Sequence, residues 1–194
     1  MDGGITVKSE YGKGATFSFT VIFGASSLDG VKKKEHMDSE KIRIQPIRIL
    51  LVEDNSANRF LIRVVLEKFK HEVVEAVDGI EALNALLGKN PFDLILSDVQ
   101  MPKLDGYRFT RVIRACEEGK ELDPTLTDKL DADLISKLRQ RLHGKHRLVI
   151  SMTANAMSGD KEKCFTAGMD DYLTKPLNQE ELAITLKRWL PTEQ

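Results

Sequence analysis

Hydrophobic and polar positions alternate with two different periods along the chain. In the first 24 residues, Phe17, Phe19 and Val21 alternate with polar residues after a glycine-rich turn at residues 12–14. This period of two predicts a β-hairpin with one apolar face. Because an isolated two-stranded hairpin is marginal in water, we expect residues 1–24 to be a piece of a larger domain.

From Ile47 onward, short apolar runs alternate with segments of helical period. The runs are at residues 48–52, 73–74, 92–96, 148–150 and 172–173. Strands buried on both faces and separated by helices are typical of a parallel sheet with helices on each side. We therefore predict an α/β, doubly wound fold with a five-stranded parallel sheet.

Two further segments depart from this pattern. Residues 25–46 keep no apolar period and are predicted to be a linker, with a solvated lysine run at residues 32–34. Between residues 117 and 146, leucines recur every four positions before Gly144, which predicts an extra amphipathic helix before the fourth strand. That helix either packs on the sheet domain or selects a partner protein. The leucines are Leu126, Leu130, Leu134, Leu138 and Leu142.

Composition narrows the function classes. The chain has 194 residues, with 29 Lys and Arg against 30 Asp and Glu, so its net charge of -1 provides no bulk attraction to nucleic acid or anionic membranes. A hydrophobic fraction of 41% indicates a globular chain, and no apolar run approaches the roughly 20 residues of a membrane span. Two cysteines are too few for a disulfide scaffold, and we expect a cytoplasmic location.

Charged side chains stand where the predicted strands end. Glu53 and Asp54 follow the first strand, Asp98 the third and Lys175 the fifth. Adjacent strands lie about 4.8 Å apart, so we expect the carboxylates to share one pocket at the carboxyl edge of the sheet. Their mutual repulsion favours a hard divalent cation such as Mg²⁺. Lys175 and the hydroxyl group of Thr153 would add donors for a phosphoryl group.

Four stretches in this order resemble the receiver domain of two-component signalling. They are ILLVEDN at 49–55, LSDVQMPKLDG at 96–106, SMTAN at 151–155 and DYLTKP at 171–176. The resemblance covers residues 47–190. It implies a receiver domain over residues 47–192 with a flavodoxin-like strand order, 2-1-3-4-5.

The resemblance also implies roles for individual residues. Asp98 would take a phosphoryl group from the phosphohistidine of a donor kinase domain and pass it to a histidine-phosphotransfer protein. Lys175 would pair with Asp98 and then with the phosphoryl oxygens. Thr153 and Tyr172 would form the switch that responds to phosphorylation, and the Lys175–Pro176 peptide would be cis.

The same resemblance implies a magnesium site and residues that set the lifetime of the phosphoryl group. Asp54, Asp98 and the backbone carbonyl of Gln100 would ligate Mg²⁺, while Glu53 would act largely through water. Gln100 and Asn155 stand where this family varies the phosphoryl lifetime.

The N-terminal hairpin, at residues 3–19, resembles the last two strands of a histidine-kinase ATP-binding domain. The glycine-rich ATP-lid boxes of that family are not found in this sequence, so we expect no ATP binding, no cofactor-binding residues and no kinase activity from this chain. Hairpin, linker and receiver in this order indicate the C-terminal part of a hybrid histidine kinase and leave open a membrane anchor elsewhere in that protein. We expect its output to be phosphotransfer, without nucleic-acid binding or membrane insertion.

Two other function classes remain as alternatives. A Mg²⁺-dependent phosphohydrolase with an aspartyl nucleophile would need a second acid/base carboxylate two residues beyond Asp98, where Gln100 stands. An interaction module without phosphorylation is disfavoured because every position of the predicted site is filled.

Overall fold

The computed structural model describes residues 3–21, 45–128, 130–154 and 158–190, and these residues fall into two compact units. One unit contains the N-terminal hairpin and the other contains residues 45–190. The predicted linker lies outside the described residues except for its last two, and the predicted domain boundaries therefore stay predictions.

The first unit is the predicted hairpin. Strand β1 (Gly3–Glu10) pairs antiparallel with β2 (Gly14–Val21). Gly12 in the turn has a φ of 77°, a conformation that glycine adopts without strain. One face of the pair carries exposed apolar side chains, from Ile5, Val7, Phe17 and Phe19.

The second unit is built on a five-stranded parallel sheet. Its strands are β3 (Arg48–Val52), β4 (Glu72–Ala76), β5 (Leu94–Asp98), β6 (Val149–Thr153) and β7 (Asp171–Thr174). Their order, β4-β3-β5-β6-β7, is 2-1-3-4-5 when these strands alone are numbered, which confirms the prediction.

Helices cover both faces of this sheet. They are α1 (Ser56–Lys68), α2 (Gly79–Ala85), α3 (Gly106–Glu118), α4 (Pro124–Thr127), α5 (Ala132–Leu142), α6 (Ser158–Thr166) and α7 (Gln179–Trp189). Alternate residues of β3 divide between two cores: Leu50 and Val52 pack toward α2, α3 and α5, and Ile49 and Leu51 pack toward α1 and α7. No helix in the described part of the chain combines the length and the apolar character needed to cross a membrane.

Short polar side chains start the helices that follow the strands. Asn55 accepts hydrogen bonds from two backbone N–H groups at the start of α1. Asp78 and Asp105 each accept one at the starts of α2 and α3. Such N-caps satisfy donors that the helix itself leaves unpaired. α1 and α2 begin shortly after β3 and β4 end, and α3 begins after the loop of residues 99–105, whose two ends are joined by the bond from the Gly106 N–H to the Val99 carbonyl. The first turns of these helices therefore lie at the carboxyl edge of the sheet.

The inserted segment contains two helices where the sequence predicted one. Asp123 and Pro124 start the short α4, and Asp131 N-caps the longer α5. The leucine stripe packs into the core on the side of α2 and α3, and Gly144, with a φ of 68°, follows the end of α5 as expected. The apolar face of the insertion is therefore part of the sheet domain. Its buried leucines are Leu126, Leu134, Leu138 and Leu142.

Candidate functional site

Three carboxylates meet at the carboxyl edge of the sheet, as the sequence predicted. Glu53 and Asp54 follow β3, Asp98 ends β5, and one oxygen from each lies within 4.8 Å of the other two. Glu53 and Asp98 are buried, whereas Asp54 is exposed. A hard divalent cation lies about 2.0–2.6 Å from each ligand oxygen, so oxygens at this spacing can share one coordination sphere. The three residues fit such a cation in chemistry and in spacing.

Lys175 bridges two of these carboxylates. Its Nζ lies 2.6 Å from Glu53 Oε2 and 2.7 Å from Asp98 Oδ2. Burial disfavours the charged ammonium group, but the hydrogen bonds and negative charges of Asp98 and Glu53 outweigh it and raise the pKa of Lys175. Lys175 is therefore a cation at neutral pH and balances part of the carboxylate charge.

The second oxygen of Glu53 is also engaged by the protein. Asn58, in the first turn of α1, donates a hydrogen bond from its amide to Glu53 Oε1 at 3.1 Å. Arg59 Nη1 donates to the backbone carbonyl of Glu53 at 2.6 Å, and its Nε bonds Glu75 at 3.2 Å. Glu53 is thus held from both sides of the side chain and from its backbone.

Asp98 is oriented by its own backbone neighbours. Its Oδ1 accepts a hydrogen bond from the Val99 N–H at 2.7 Å, and the Gln100 nitrogen lies 3.4 Å away. The chain after Asp98 returns to the end of β5 at Gly106. Only glycine fits there, because a Cβ would lie only 2.2 Å from the Asp98 carbonyl oxygen. Because Oδ1 is bonded to backbone N–H and Oδ2 to Lys175, the orientation of the Asp98 carboxylate is fixed.

The predicted switch residues lie on the two neighbouring strands. Thr153 is the last residue of β6 and is buried at 5% exposure. Tyr172 lies on β7, half-buried, with its ring edge-on to Phe165 at 6.4 Å and 5.1 Å from the Lys161 ammonium nitrogen. Asn155, the other predicted lifetime residue, lies outside the described residues.

One cleft of about 840 Å³ collects most of the predicted site. The lining residues that the sequence predicted are Asp54, Asp98, Gln100, Thr153 and Lys175. Sequence reasoning missed several others, including Asn58, Asp105, Tyr107 and Lys163. Asn58 and Arg59 had a usable signal, because the first turn of a helix that follows a parallel strand lies beside the strand end.

The chain is similar to a known domain family and to curated sensor proteins. Residues 49–127 match the model of the response regulator receiver domain. Sensor histidine kinase GacS of Pseudomonas protegens is 36% identical over 84% of this chain, and aerobic respiration control sensor protein ArcB of Escherichia coli is 31% identical over all of it. The chain spans only 15% and 21% of the lengths of these two relatives.

Solved structures show the same likeness. The receiver domain of sensor histidine kinase PA1611 from Pseudomonas aeruginosa, described with a magnesium ion in its active-site cleft, is 35% identical with a TM-score of 0.54, over 74% of this chain and 97% of that one. The yeast Ssk1 receiver domain, crystallised with the histidine phosphotransfer protein Ypd1, appears in a structure that is 28% identical with a TM-score of 0.58, over 74% of this chain and 88% of that one.

Proposed function

Because this chain belongs to the response regulator receiver family, we propose that Asp98 is the phosphoacceptor of a phosphorelay in a hybrid histidine kinase. The observation that carries this proposal is the arrangement of the Asp98 carboxylate. One of its oxygens is bonded by the Val99 amide and the other by Lys175, and two further carboxylates stand beside it.

The proposed reaction moves a phosphoryl group from a histidine to this aspartate. A carboxylate oxygen of Asp98 attacks the phosphorus atom of a phosphohistidine as the P–N bond breaks, and the electron pair of that bond stays on the imidazole nitrogen. The product is an acyl phosphate on Asp98. In the next transfer, an imidazole nitrogen of a histidine-phosphotransfer protein attacks the same phosphorus atom and the carboxylate leaves.

The surrounding residues would each serve this transfer. Mg²⁺, when bound by Asp54, Asp98 and the Gln100 carbonyl with Glu53 acting through water, would neutralise charge on the phosphoryl oxygens. Lys175 would exchange its bond to Asp98 for one to a phosphoryl oxygen. Catalysis of phosphoryl transfer is largely positioning and charge stabilisation, which these residues supply in one cleft.

Phosphorylation would be read out through two residues beside the site. The Thr153 hydroxyl would donate a hydrogen bond to the phosphoryl group, and Tyr172 would move inward after it. The Tyr172 ring now contacts Phe165 and Lys161 of α6, so its movement would alter the surface of that helix. Gln100, which lines the cleft, and Asn155 would influence how long the phosphoryl group persists.

A partner protein must place its histidine over the cleft, and the adjacent face of α1 suits this contact. Phe60 and Leu61 are 55% and 62% exposed. Beside them, a cavity of about 420 Å³ is lined by Leu61, Val65, Pro176 and Leu177 among others. Exposed apolar groups of this kind are characteristic of protein–protein contacts. The complex of Ypd1 with the Ssk1 receiver domain supports a phosphotransfer protein as this partner.

We further propose the domain organisation around the receiver. Residues 1–24 would be the end of a kinase ATP-binding domain, 25–46 a linker and 47–192 the receiver. This part would act in the cytoplasm as an acceptor and donor of phosphoryl groups without being an enzyme in its own right. The alignment with ArcB, which covers the whole chain, supports this arrangement.

The proposal is tested by mass spectrometry of the intact chain. Incubation with Mg²⁺ and a small phosphodonor should add one phosphoryl group to the wild-type chain and none to Asp98→Ala. Asp128→Ala, at an exposed aspartate of the inserted segment, is the matched control and should be modified normally. Rapid hydrolysis of unrelated phosphate esters would favour the phosphohydrolase, and the absence of any adduct would leave an interaction module without phosphorylation.

A further inference from the structure

The loop that follows Asp98 is fastened to the start of α2. Within this loop, residues 99–105, Lys103 has a φ of 63°, in the left-handed region that disfavours a residue with a Cβ. Its ammonium nitrogen lies 2.5 Å from Asp78 Oδ2. The Asp78 side chain is only 3% exposed, so this ion pair differs from one between two solvated groups.

A second contact joins the same two segments. The Gly79 N–H lies 3.3 Å from the carbonyl oxygen of Leu104, and a Cβ on Gly79 would approach that oxygen to 2.6 Å. Asp78 also caps α2 by accepting a hydrogen bond from the Glu81 N–H at 2.9 Å. Two successive residues at the start of α2 therefore hold two successive residues of the loop.

The fastened loop carries groups that the proposed phosphoryl site needs. The Val99 and Gln100 nitrogens face the Asp98 carboxylate, and the Gln100 carbonyl is the proposed backbone ligand for Mg²⁺. At its other end the loop is closed by Gly106, whose N–H bonds the Val99 carbonyl at 3.0 Å. Its middle is held by Lys103, which would be free to relax into a more ordinary conformation without Asp78.

We propose that Lys103 and Asp78 are positioning residues of the phosphoryl site, because their ion pair presets the loop that contributes the Gln100 ligand. This inference rests on the proposed function. Neither side chain touches the reacting atoms, and their effect passes through the backbone of residues 99–105. The expected effect is on Mg²⁺ affinity first and on the phosphorylation rate only through it.

The test measures Mg²⁺ binding by calorimetry on the full chain. Lys103→Asn removes the cation, and asparagine tolerates the left-handed backbone conformation at this position. This variant should weaken Mg²⁺ binding roughly 10-fold, the lower end of the range expected when a group that orients a metal ligand is lost. Lys103→Arg keeps the ion pair and should bind Mg²⁺ as the wild type does. Loss of a positive charge would by itself strengthen the binding of a cation, so a weakened Mg²⁺ affinity reports positioning.

The matched control is Lys137→Asn, which breaks a lysine–aspartate pair of the same 2.5 Å length on α5 and should leave Mg²⁺ affinity unchanged. Phosphorylation of Lys103→Asn by a small phosphodonor should be slow at low Mg²⁺ and return to the wild-type rate at saturation. If Lys103→Asn does not fold, Asp78→Asn, which keeps an N-cap acceptor and removes the charge, provides the same comparison.

Two results would overturn the inference, and they differ in their wider meaning. If the wild type binds Mg²⁺ and is phosphorylated while the folded Lys103→Asn or Asp78→Asn variant matches its affinity, the positioning role is wrong and the proposed function stands. If the wild type neither binds Mg²⁺ nor forms the Asp98 adduct, the proposed function fails and the positioning role fails with it.

Discussion

At the scale of single residues, Lys175 decides the charge balance of the site. It lies within 2.7 Å of both Glu53 and Asp98, and Glu53 has no exposed surface. Without the ammonium group, buried carboxylates would face each other with no cation between them, which is costly in a low-dielectric surrounding. Lys175 therefore offsets the charge of these carboxylates and would compete with a cation bound there.

Replacement of Lys175 by methionine should separate metal binding from phosphoryl transfer. Lys175→Met should bind Mg²⁺ more tightly, on the order of tenfold, because a neighbouring positive charge is lost. Its phosphorylation should slow, because the proposed donor to the phosphoryl oxygens is lost with Lys175. Calorimetry and intact-mass kinetics measure the two effects, with Lys137→Met, at an exposed position of α5, as the control. Weaker Mg²⁺ binding by Lys175→Met would contradict this account of the charge balance.

His71, outside the four sequence motifs, is a second residue whose environment determines its protonation. It is 4% exposed, its Nδ1 accepts the Ile47 N–H at 3.3 Å, and its Nε2 has no partner among the described residues. Burial disfavours the imidazolium ion and lowers the pKa of His71. The folded chain therefore holds a neutral imidazole, which the unfolded chain would protonate at about pH 6.5.

Stability should consequently fall in mild acid through His71. Its contribution is fully present above about pH 6.5 and is lost as the pH falls below that value, at up to about 1.4 kcal/mol per pH unit. His71→Gln keeps an acceptor for Ile47 and removes the titration, so its unfolding free energy should fall less than that of the wild type between about pH 7.5 and about pH 5.5. Urea unfolding at both pH values measures this. The exposed His143→Gln should behave as the wild type, and an equal loss in His71→Gln would be the contrary result.

At the scale of elements, the inserted segment is held by both apolar and polar contacts. Leu138 of α5 has no exposed surface, and α5 packs against α3. Arg141 donates two hydrogen bonds of 2.6 Å to the carbonyls of Gly88 and Lys89, and Arg139 donates one of 3.0 Å to Lys120. Both arginines thus bind carbonyls in the segments that follow α2 and α3, so α5 braces these helices where they end.

Truncation of the leucine stripe should therefore destabilise the whole receiver unit. Leu138→Ala should lower the unfolding free energy by about 2–5 kcal/mol, because a buried leucine is replaced by a cavity. The neighbouring Lys137→Ala, at an exposed position of the same helix, should change it by no more than about 0.5 kcal/mol. Urea unfolding of both variants tests the pair. Similar, small effects would mean that the insertion is a loosely attached element.

Sequence patterns predicted some features of these elements but not others. The five strands follow from short apolar runs, whereas their order came from the resemblance to receiver domains. The Glu53, Asp54 and Asp98 cluster follows from the positions of these residues at strand ends. The regular leucine spacing continues from Leu126 to Leu134 across the break between α4 and α5. The sequence pattern therefore did not indicate that the helix is interrupted. The ion pair of Asp78 and Lys103 joins residues 25 positions apart, and nothing in a local pattern specifies such a pair.

At the scale of the whole molecule, the two units differ in how they satisfy their apolar residues. The receiver unit encloses two cores, one on each face of its sheet. The hairpin instead exposes Phe17 at 68% and Phe19 at 75%, with Ile5 and Val7 beside them. Eight paired residues on each strand form its ladder, yet both strands are edges of their two-stranded sheet, and residues 3–20 are exposed on both faces in the described part of the chain. A ladder with so little burial cannot offset the entropy of ordering its chain.

Hydrogen exchange should reveal this difference directly. Backbone amides of β1 and β2 should exchange close to the rate of an unstructured peptide, because an isolated two-stranded hairpin opens readily. Amides of β5, in the centre of the sheet, should exchange only through global unfolding of the receiver unit. Mass spectrometry of proteolytic fragments from the whole chain compares the two, and Phe19→Ser should leave β5 unchanged. Slow exchange in β1 and β2 would contradict the prediction and indicate that the apolar face is covered in solution.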